Sequence, residues 1–238
     1  MKTLVVLLLL ASITLPLWAS GMSEDPSEKL TKSWTWKTLK SLEIRGQVDF
    51  IVRPGPVCQV TITTSRALFD QLTVRNGWGK GVIAVESGLQ GPREIGIVNV
   101  VVETPSLGSL SVSDRCTGQV TWPGKSASLE IQDQSHVSLV MNQGNVTVAE
   151  TWRSTFDVEG VVDKIAASLR RQSQIDTQGA LVHEAEVQLD EESGLVAGPT
   201  DKASGRLRHS SRLIVLDSAP WSAVRLDEGS VCTVQPSR

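Results

Sequence analysis

From residue 110 onward the chain alternates apolar and polar residues in short bursts, and the bursts share one phrase. In "SLEIQDQSHVSLV", residues 128–140, Leu129, Ile131, Val137 and Leu139 take odd positions. A polar turn separates the two halves, and Ser135 precedes the second. Alternation with a period of two marks a half-buried β-strand. The phrase reads apolar, x, apolar, x, turn, x, Ser, x, apolar, x, apolar. Imperfect copies start at Leu110, Leu129, Val146, Ile165, Val187, Leu207 and Val224, in steps of 19, 17, 19, 22, 20 and 17 residues. A loose β period near twenty is the signature of a solenoid, in which one coil cannot bury its apolar face alone but stacked coils can. The pattern therefore predicts an all-β fold, a parallel β-helix-like solenoid of about seven short coils preceded by a small β region. An antiparallel β-sandwich with regularly spaced hairpins is the alternative.

Residues 39–105 set a different rhythm. "LKSLEIRGQVDFIVRPG" gives two short strands around Gly46, and "CQVTITTS" a third. "RALFDQL" reads as a turn or a short helix, and "LTVRNGWGKGVIAVES" as a hairpin with Asn76-Gly77 as its turn signal. "IGIVNVVVETPSLGSL" supplies a strand that ends before Pro105.

The N-terminus has its own logic. Lys2 precedes "LVVLLLLASITLPLW", an apolar run broken by Pro16, and "ASG" at 19–21 offers small residues for cleavage after Ala19 or Gly21. This is the build of a signal peptide over residues 1–21, with an uncleaved anchor as the other reading. No second stretch approaches spanning length, so no integral span is expected after cleavage. Residues 22–33, "MSEDPSEKLTKS", are polar and expected to be disordered. Residues 34–236 then form a single β-solenoid domain.

Without Lys2 the chain has 22 basic and 26 acidic side chains, a net charge of −4. That balance excludes a phosphate-backbone binder, so no nucleic acid is expected as a partner. Tyr is absent although there are seven Trp, which argues against an aromatic sugar groove. The three cysteines, Cys58, Cys116 and Cys232, are an odd number for an exported chain. Cys116 lies in the first coil and Cys232 in the seventh, about 29 Å apart at a coil step of about 4.8 Å, so they cannot bridge within one chain. Cys232 takes an inward slot equivalent to Val137. A Cys58–Cys116 bond is open.

The order of pieces resembles a bacterial family, the putative auto-transporter adhesin, head-GIN domain. "LKSLEIRGQVDFIVRPGP" is followed by "VTITTSRALFDQLTV", then by "VNVVVETPSLGSLSVSDRCTGQVT", the step into the first coil. The resemblance covers residues 34–234. It implies short strands stacked as a β-helix-like solenoid and export to the periplasm or cell surface. It offers no catalytic motif. Where family members tend to have Ser-Gly pairs at coil turns, this chain has Asp114, Asp133, Glu150, Glu191 and Glu228.

Those acids are the most tempting constellation, since Ca²⁺ takes oxygen ligands. Leu169 and Ser211 interrupt the row, and Arg115, Arg170, Arg171 and Arg212 lie beside it. Mixed charges on a solvated edge are the simpler reading, so no metal is assigned. "HEAEV" at His183 is not a zinc-protease motif. His136 lies between apolar positions and points outward; His209 takes an inward slot by the template. No nucleophile elbow, phosphate loop or dinucleotide fingerprint occurs, so no catalytic or cofactor-binding residue and no cofactor is assigned. The sequon at Asn145 carries no weight in a bacterial-looking chain.

Two function classes remain. One is an exported, non-enzymatic envelope or cell-surface module that binds or scaffolds an envelope component, a polysaccharide or a protein, through a flat β-face. The other is a carbohydrate-active β-helix enzyme, a polysaccharide lyase or hydrolase, which would need paired carboxylates across a groove. A polymerising scaffold is a third possibility, because uncapped solenoid ends are sticky, and an oligomer is allowed.

Overall fold

The computed structural model describes residues 28–85, 97–216, 223–227 and 229–235; the expected signal peptide and the residues up to 27 lie outside them. The front of the chain forms β1 (Lys29–Trp36), β2 (Ser41–Arg45), β3 (Val48–Pro54), β4 (Cys58–Ser65), a one-turn helix α1 (Arg66–Phe69), β5 (Leu72–Gly77), β6 (Lys80–Val85) and β7 (Val98–Thr104). The repeats follow as β8 (Ser109–Ser113), β9 (Thr117–Thr121), β10 (Ser126–Ile131), β11 (His136–Met141), β12 (Asn145–Glu150), β13 (Thr155–Leu169) and β14 (Gln174–Leu189). The chain ends in β15 (Gly194–Ala197), β16 (Thr200–Leu207), β17 (Arg212–Leu216), β18 (Ala223–Leu226) and β19 (Val231–Gln235).

Each repeat lays one strand on each of two faces, and every strand pairs in parallel with its equivalent one rung away. Face one stacks β8, β10, β12, the second halves of β13 and β14, β16 and β18. Face two stacks β9, β11, the first halves of β13 and β14, β15, β17 and β19. This parallel winding is the solenoid; a sandwich would pair neighbours antiparallel. Inward columns fill the space between the faces. On face two Gly118, Val137, Phe156, Ile175, Leu195, Leu213 and Cys232 align rung by rung, which places Cys232 in the slot of Val137 as expected. On face one the in-register column is Leu110, Leu129, Val148, Ala167, Val187, Gly205 and Val224. The steps are thus 19, 19, 19, 20, 18 and 19 residues, and three copies sit two residues away from the spacing read in the sequence: Val148, not Val146, lies over Leu129.

The turn between the two halves explains the rest of the phrase. Asp133 and Gln134 both have positive φ, 55° and 62°. The same left-handed pair recurs as Asp114-Arg115, Trp152-Arg153, Arg171-Gln172, Glu191-Glu192 and His209-Ser210. Side chains make this conformation unfavourable. Stacking offsets the cost, because the amide of the second residue donates to the carbonyl one rung on: Gln134 to Trp152, Arg153 to Arg171, Gln172 to Glu191, each at 2.9 Å. The serine that follows is buried at Ser135, Ser154, Ser173, Ser193 and Ser211. At Ser154, Ser173 and Ser211 its hydroxyl donates to the carbonyl three residues earlier, at 2.8, 2.8 and 2.6 Å. The phrase therefore encodes an inward strand pair, a left-handed corner and the hydroxyl that closes it.

The small β region is not separate from the solenoid. β2 and β3 pair in parallel with β8 and β9, and β6 and β7 pair in parallel with β2 and β3. Antiparallel strands then finish this end, β5 on β6, and β4 then β1 on β7. The segment expected to be disordered contains the start of β1. Residues 29–33 are held by cross-strand hydroxyl pairs, Thr31 with Thr63 and Ser33 with Thr61, both at 2.9 Å, and Lys32 lies over the Phe69 ring. The hairpin turn also falls two residues later than its sequence signal. Gly77 pairs with Lys80, so Trp78 and Gly79 make the turn, with φ of 55° and 82°. That register puts Ile83 in the core and frees Asn76 to donate to the Thr38 carbonyl.

Candidate functional surface

The outward columns of both faces form flat ladders. On face one Ser128 and Thr147 stand in line, and on face two Gln119, Ser138, Asp157 and Asp176 do. A shallow depression of about 340 Å³ lies on face one. Gly205 helps to line it: a Cβ there would come within 2.3 Å of the Val187 carbonyl oxygen. Arg170, Arg206, Arg208, Glu186 and Asp190 surround it. These charges mostly engage each other. Arg206 and Arg208 both reach Asp227 at 3.3 Å, and the His209 ring holds Asp190 at 2.5 Å. The bond to His209 keeps the Asp190 carboxyl below its ordinary range, and the same bond pushes His209 up.

The structure splits the acidic row. Asp114, Asp133 and Glu191 occupy the first left-handed position of their corners, a place taken elsewhere by Trp152, Arg171 and His209. On this edge Arg153 donates to Gln172 and Gln172 to Glu192, both at 2.8 Å; Arg171 lies 3.5 Å from Glu191 and over the Trp152 ring. Mixed charges pair along the solvated edge, as the sequence implied. Glu228 lies outside the described residues. Among those described, no three His, Cys, Asp or Glu gather as a metal site.

Glu150 does not belong to that edge. It pairs with Ile131 on one side and Leu169 on the other, in an inward column, and is fully buried. Neither carboxyl oxygen has a hydrogen-bond partner among the described residues. Burial pushes its pKa well above the ordinary carboxylate range, and the charge of Asp157 adds to the rise. His209 is corrected in the opposite sense. It sits in a corner with its side chain 73% exposed, not in the core. His136 points outward, between Thr155 at 2.6 Å and Asp157 at 3.4 Å, and His183 pairs with Asp201 at 2.6 Å. The exposed Trp78 and Trp152 escaped the sequence reading, which weighed aromatic count and not position.

All three cysteines are free. Cys116 replaces the corner serine of the first copy, and its thiol donates to the Ser113 carbonyl at 3.0 Å. Burial pushes its pKa up to about 12. A maleimide is expected to label native Cys232 first, Cys58 more slowly, and Cys116 only on unfolding. Equal native rates for Cys116 and Cys232, followed by mass spectrometry, would contradict the buried corner.

Comparison with known proteins follows this geometry. The profile of the family described as "Putative auto-transporter adhesin, head GIN domain" matches residues 38–219. The chain is similar to the crystal structure of a putative adhesin from Bacteroides fragilis, at 12% identity and a TM-score of 0.71, covering 89% of this chain and 99% of that one. It is also similar to a putative lipid binding protein from Parabacteroides distasonis, at 11% identity and a TM-score of 0.63, covering 87% and 96%. A putative adhesin from Parabacteroides merdae aligns at 11% identity and a TM-score of 0.61, covering 87% and 96%. At these identities the likeness is one of fold. No curated protein matches.

Proposed function

We propose that this chain, which belongs to the auto-transporter adhesin head GIN family, is an exported, non-enzymatic module of the cell envelope or surface that engages an extended partner along a flat solenoid face. The observation that carries this reading is the outer surface itself. Its ladders repeat a side chain about every 4.8 Å along the axis, which suits a long, repetitive ligand such as a polysaccharide or an extended protein. The hollow on face one is shallow, and most of its charges are already paired, Arg206 and Arg208 with Asp227 and Asp190 with His209. The family and the similarly folded adhesins agree with a surface role, and residues 1–21 supply the export signal. No helix among the described residues is long and apolar enough to cross a membrane.

The test is binding of purified mature protein to isolated envelopes. Wild type should sediment with them, and Ser128→Arg with Thr147→Arg should lose that binding at unchanged melting temperature. The mature protein recovered from cells should begin near residue 20 or 22 by mass spectrometry. Undiminished binding by the double variant removes face one from the proposal, and depolymerisation of a polysaccharide by wild type would replace the binding reading with the enzymatic one.

A further inference from the structure

We propose that the Trp78 hairpin tip and the lysine-bearing edge beside it dock this protein on an anionic lipid bilayer. Trp78 is the most exposed large apolar side chain among the described residues. It stands in the two-residue turn between β5 and β6, with φ of 55°, and Gly79 follows at 82°. A turn with positive φ at both positions favours asparagine, aspartate and glycine. Tryptophan there strains the backbone, and no burial offsets the cost. The fold gives no reason for this residue; contact with something outside the chain does.

The tip is fixed to its surroundings. The Lys40 amide donates to the Gly79 carbonyl at 2.7 Å, and the Asn76 side-chain amide donates to the Thr38 carbonyl at 3.2 Å. A Cβ on Gly79 would stand 3.2 Å from Lys40 Cγ, so the lysine stem lies against the turn. Trp78 and Lys40 thus share the edge of the solenoid where the face-one strands begin. Gly108, which opens the next rung on that edge, donates to the Lys40 carbonyl at 2.8 Å.

Charge along this edge has one sign. Its turns over the first rungs are residues 37–40, 78–80, 105–108 and 122–125, and they contain Lys37, Lys40, Lys80 and Lys125 and no acid. Lys80 reaches Glu43 at 2.7 Å. Lys37, Lys40 and Lys125 are exposed, and none has an ion pair among the described residues. The asymmetry extends to the whole chain. Residues 28–85 carry nine Lys and Arg against four Asp and Glu, a net of +5, whereas residues 97–238 carry twelve against eighteen, a net of −6. An anionic surface attracts the first rungs and repels the others, so it orients the molecule.

Shape selects a bilayer over a soluble polyanion. A hairpin tip is convex, and the Trp78 ring has no wall beside it with which to grip a sugar. It suits a medium that yields around it. The headgroup region does so, taking the indole at the interface and the flanking lysines at the phosphates. Trp78, Lys37, Lys40 and Lys125 lie in turns, outside the ladders, so this contact goes beyond the proposed ligand face and does not rest on it.

Sedimentation of the mature protein with lipid vesicles tests this. At low salt, wild type should bind vesicles that contain phosphatidylglycerol but not vesicles of phosphatidylcholine alone, and tryptophan emission should shift to the blue. Added salt should release the protein. Trp78→Asn should lose the blue shift and bind more weakly, with a melting temperature no lower than wild type, because asparagine accepts the turn. Lys37→Gln with Lys40→Gln should weaken binding by at least about tenfold. Equal binding to both kinds of vesicle, binding to neither, or a Trp78→Asn protein that binds and shifts like wild type would each overturn the proposal. Capture of soluble polygalacturonate without vesicle binding would overturn it in favour of an acidic polysaccharide. In high salt, where this contact is screened, Trp78→Asn should bind isolated envelopes like wild type, so this edge and the proposed ligand face can fail separately.

Discussion

Val137→Asp is expected to remove at least about 4 kcal/mol of stability, while Ser138→Asp, one residue away, should cost no more than about 1 kcal/mol. Val137 is fully buried, with Gly118 below it and Phe156 above it in the inward column. The packing there leaves no room for a carboxylate to reach water. Gly118 has no side chain because the Phe50 ring fills its place, within 2.3 Å of where a Cβ would stand. Phe50, Val137 and Phe156 thus form a continuous apolar stack, and a charge among them has no partner. Ser138 points outward beside Gln119 and Asp157. An acid there meets one like charge across the rung but remains hydrated. Urea titration of both variants measures the difference. Comparable losses would mean that the alternation does not alternate burial, and with it the whole inward assignment would fall.

That assignment was legible because the period of two holds along each half-coil. Cys232 is at the Val137 slot by the same count that places Phe156 and Leu213 there. What the period could not fix was the phase between coils. Val146 and Val148 are both inward, so sliding one copy by two residues leaves the apolar pattern intact. The corner that joins one rung to the next decides the phase, and its residues are not repeated in the sequence. The slip has two visible consequences. Counting from Val146 puts the turn at Glu150, whereas the backbone turns at Trp152-Arg153. Counting from Leu207 puts His209 inward, whereas it lies in the corner. The left-handed pairs were hidden for another reason. Gln, Glu, Trp and Arg are not residues that announce positive φ, and stacking of one corner on the next offsets the cost. The binding surface left no motif to read: a ladder of serines and threonines gains meaning from being flat and repeated, not from any one residue.

Glu150→Leu is expected to stabilise the protein by about 2–4 kcal/mol at neutral pH and to flatten its pH dependence. The wild-type carboxyl interrupts a column that otherwise runs Val112, Ile131, Leu169, Leu189 and Leu207. Neither of its oxygens has a hydrogen-bond partner among the described residues, and burial raises its pKa well above the ordinary carboxylate range, which favours the neutral acid in the folded protein. The sign follows from that. Below the ordinary carboxylate pKa, folded and unfolded chains both carry the proton, and ionisation adds no penalty. As pH rises above it the unfolded chain releases the proton and the folded chain keeps it. Stability then falls by about 1.4 kcal/mol per pH unit until the raised folded pKa is reached. Wild type should therefore lose melting temperature from about pH 5 upward relative to Glu150→Leu, with the gap widening at each step. Glu150→Gln separates the two contributions. It removes the ionisable proton and should flatten the same pH dependence, but it leaves an unpaired polar group inside and should recover less stability than leucine. Asp157, whose charge adds to the rise, is unchanged in all three proteins and cancels in the comparison. Melting curves of wild type and Glu150→Leu that run parallel across this range would show that Glu150 is ionised in the folded state, and would require a partner for it that the inward column does not contain.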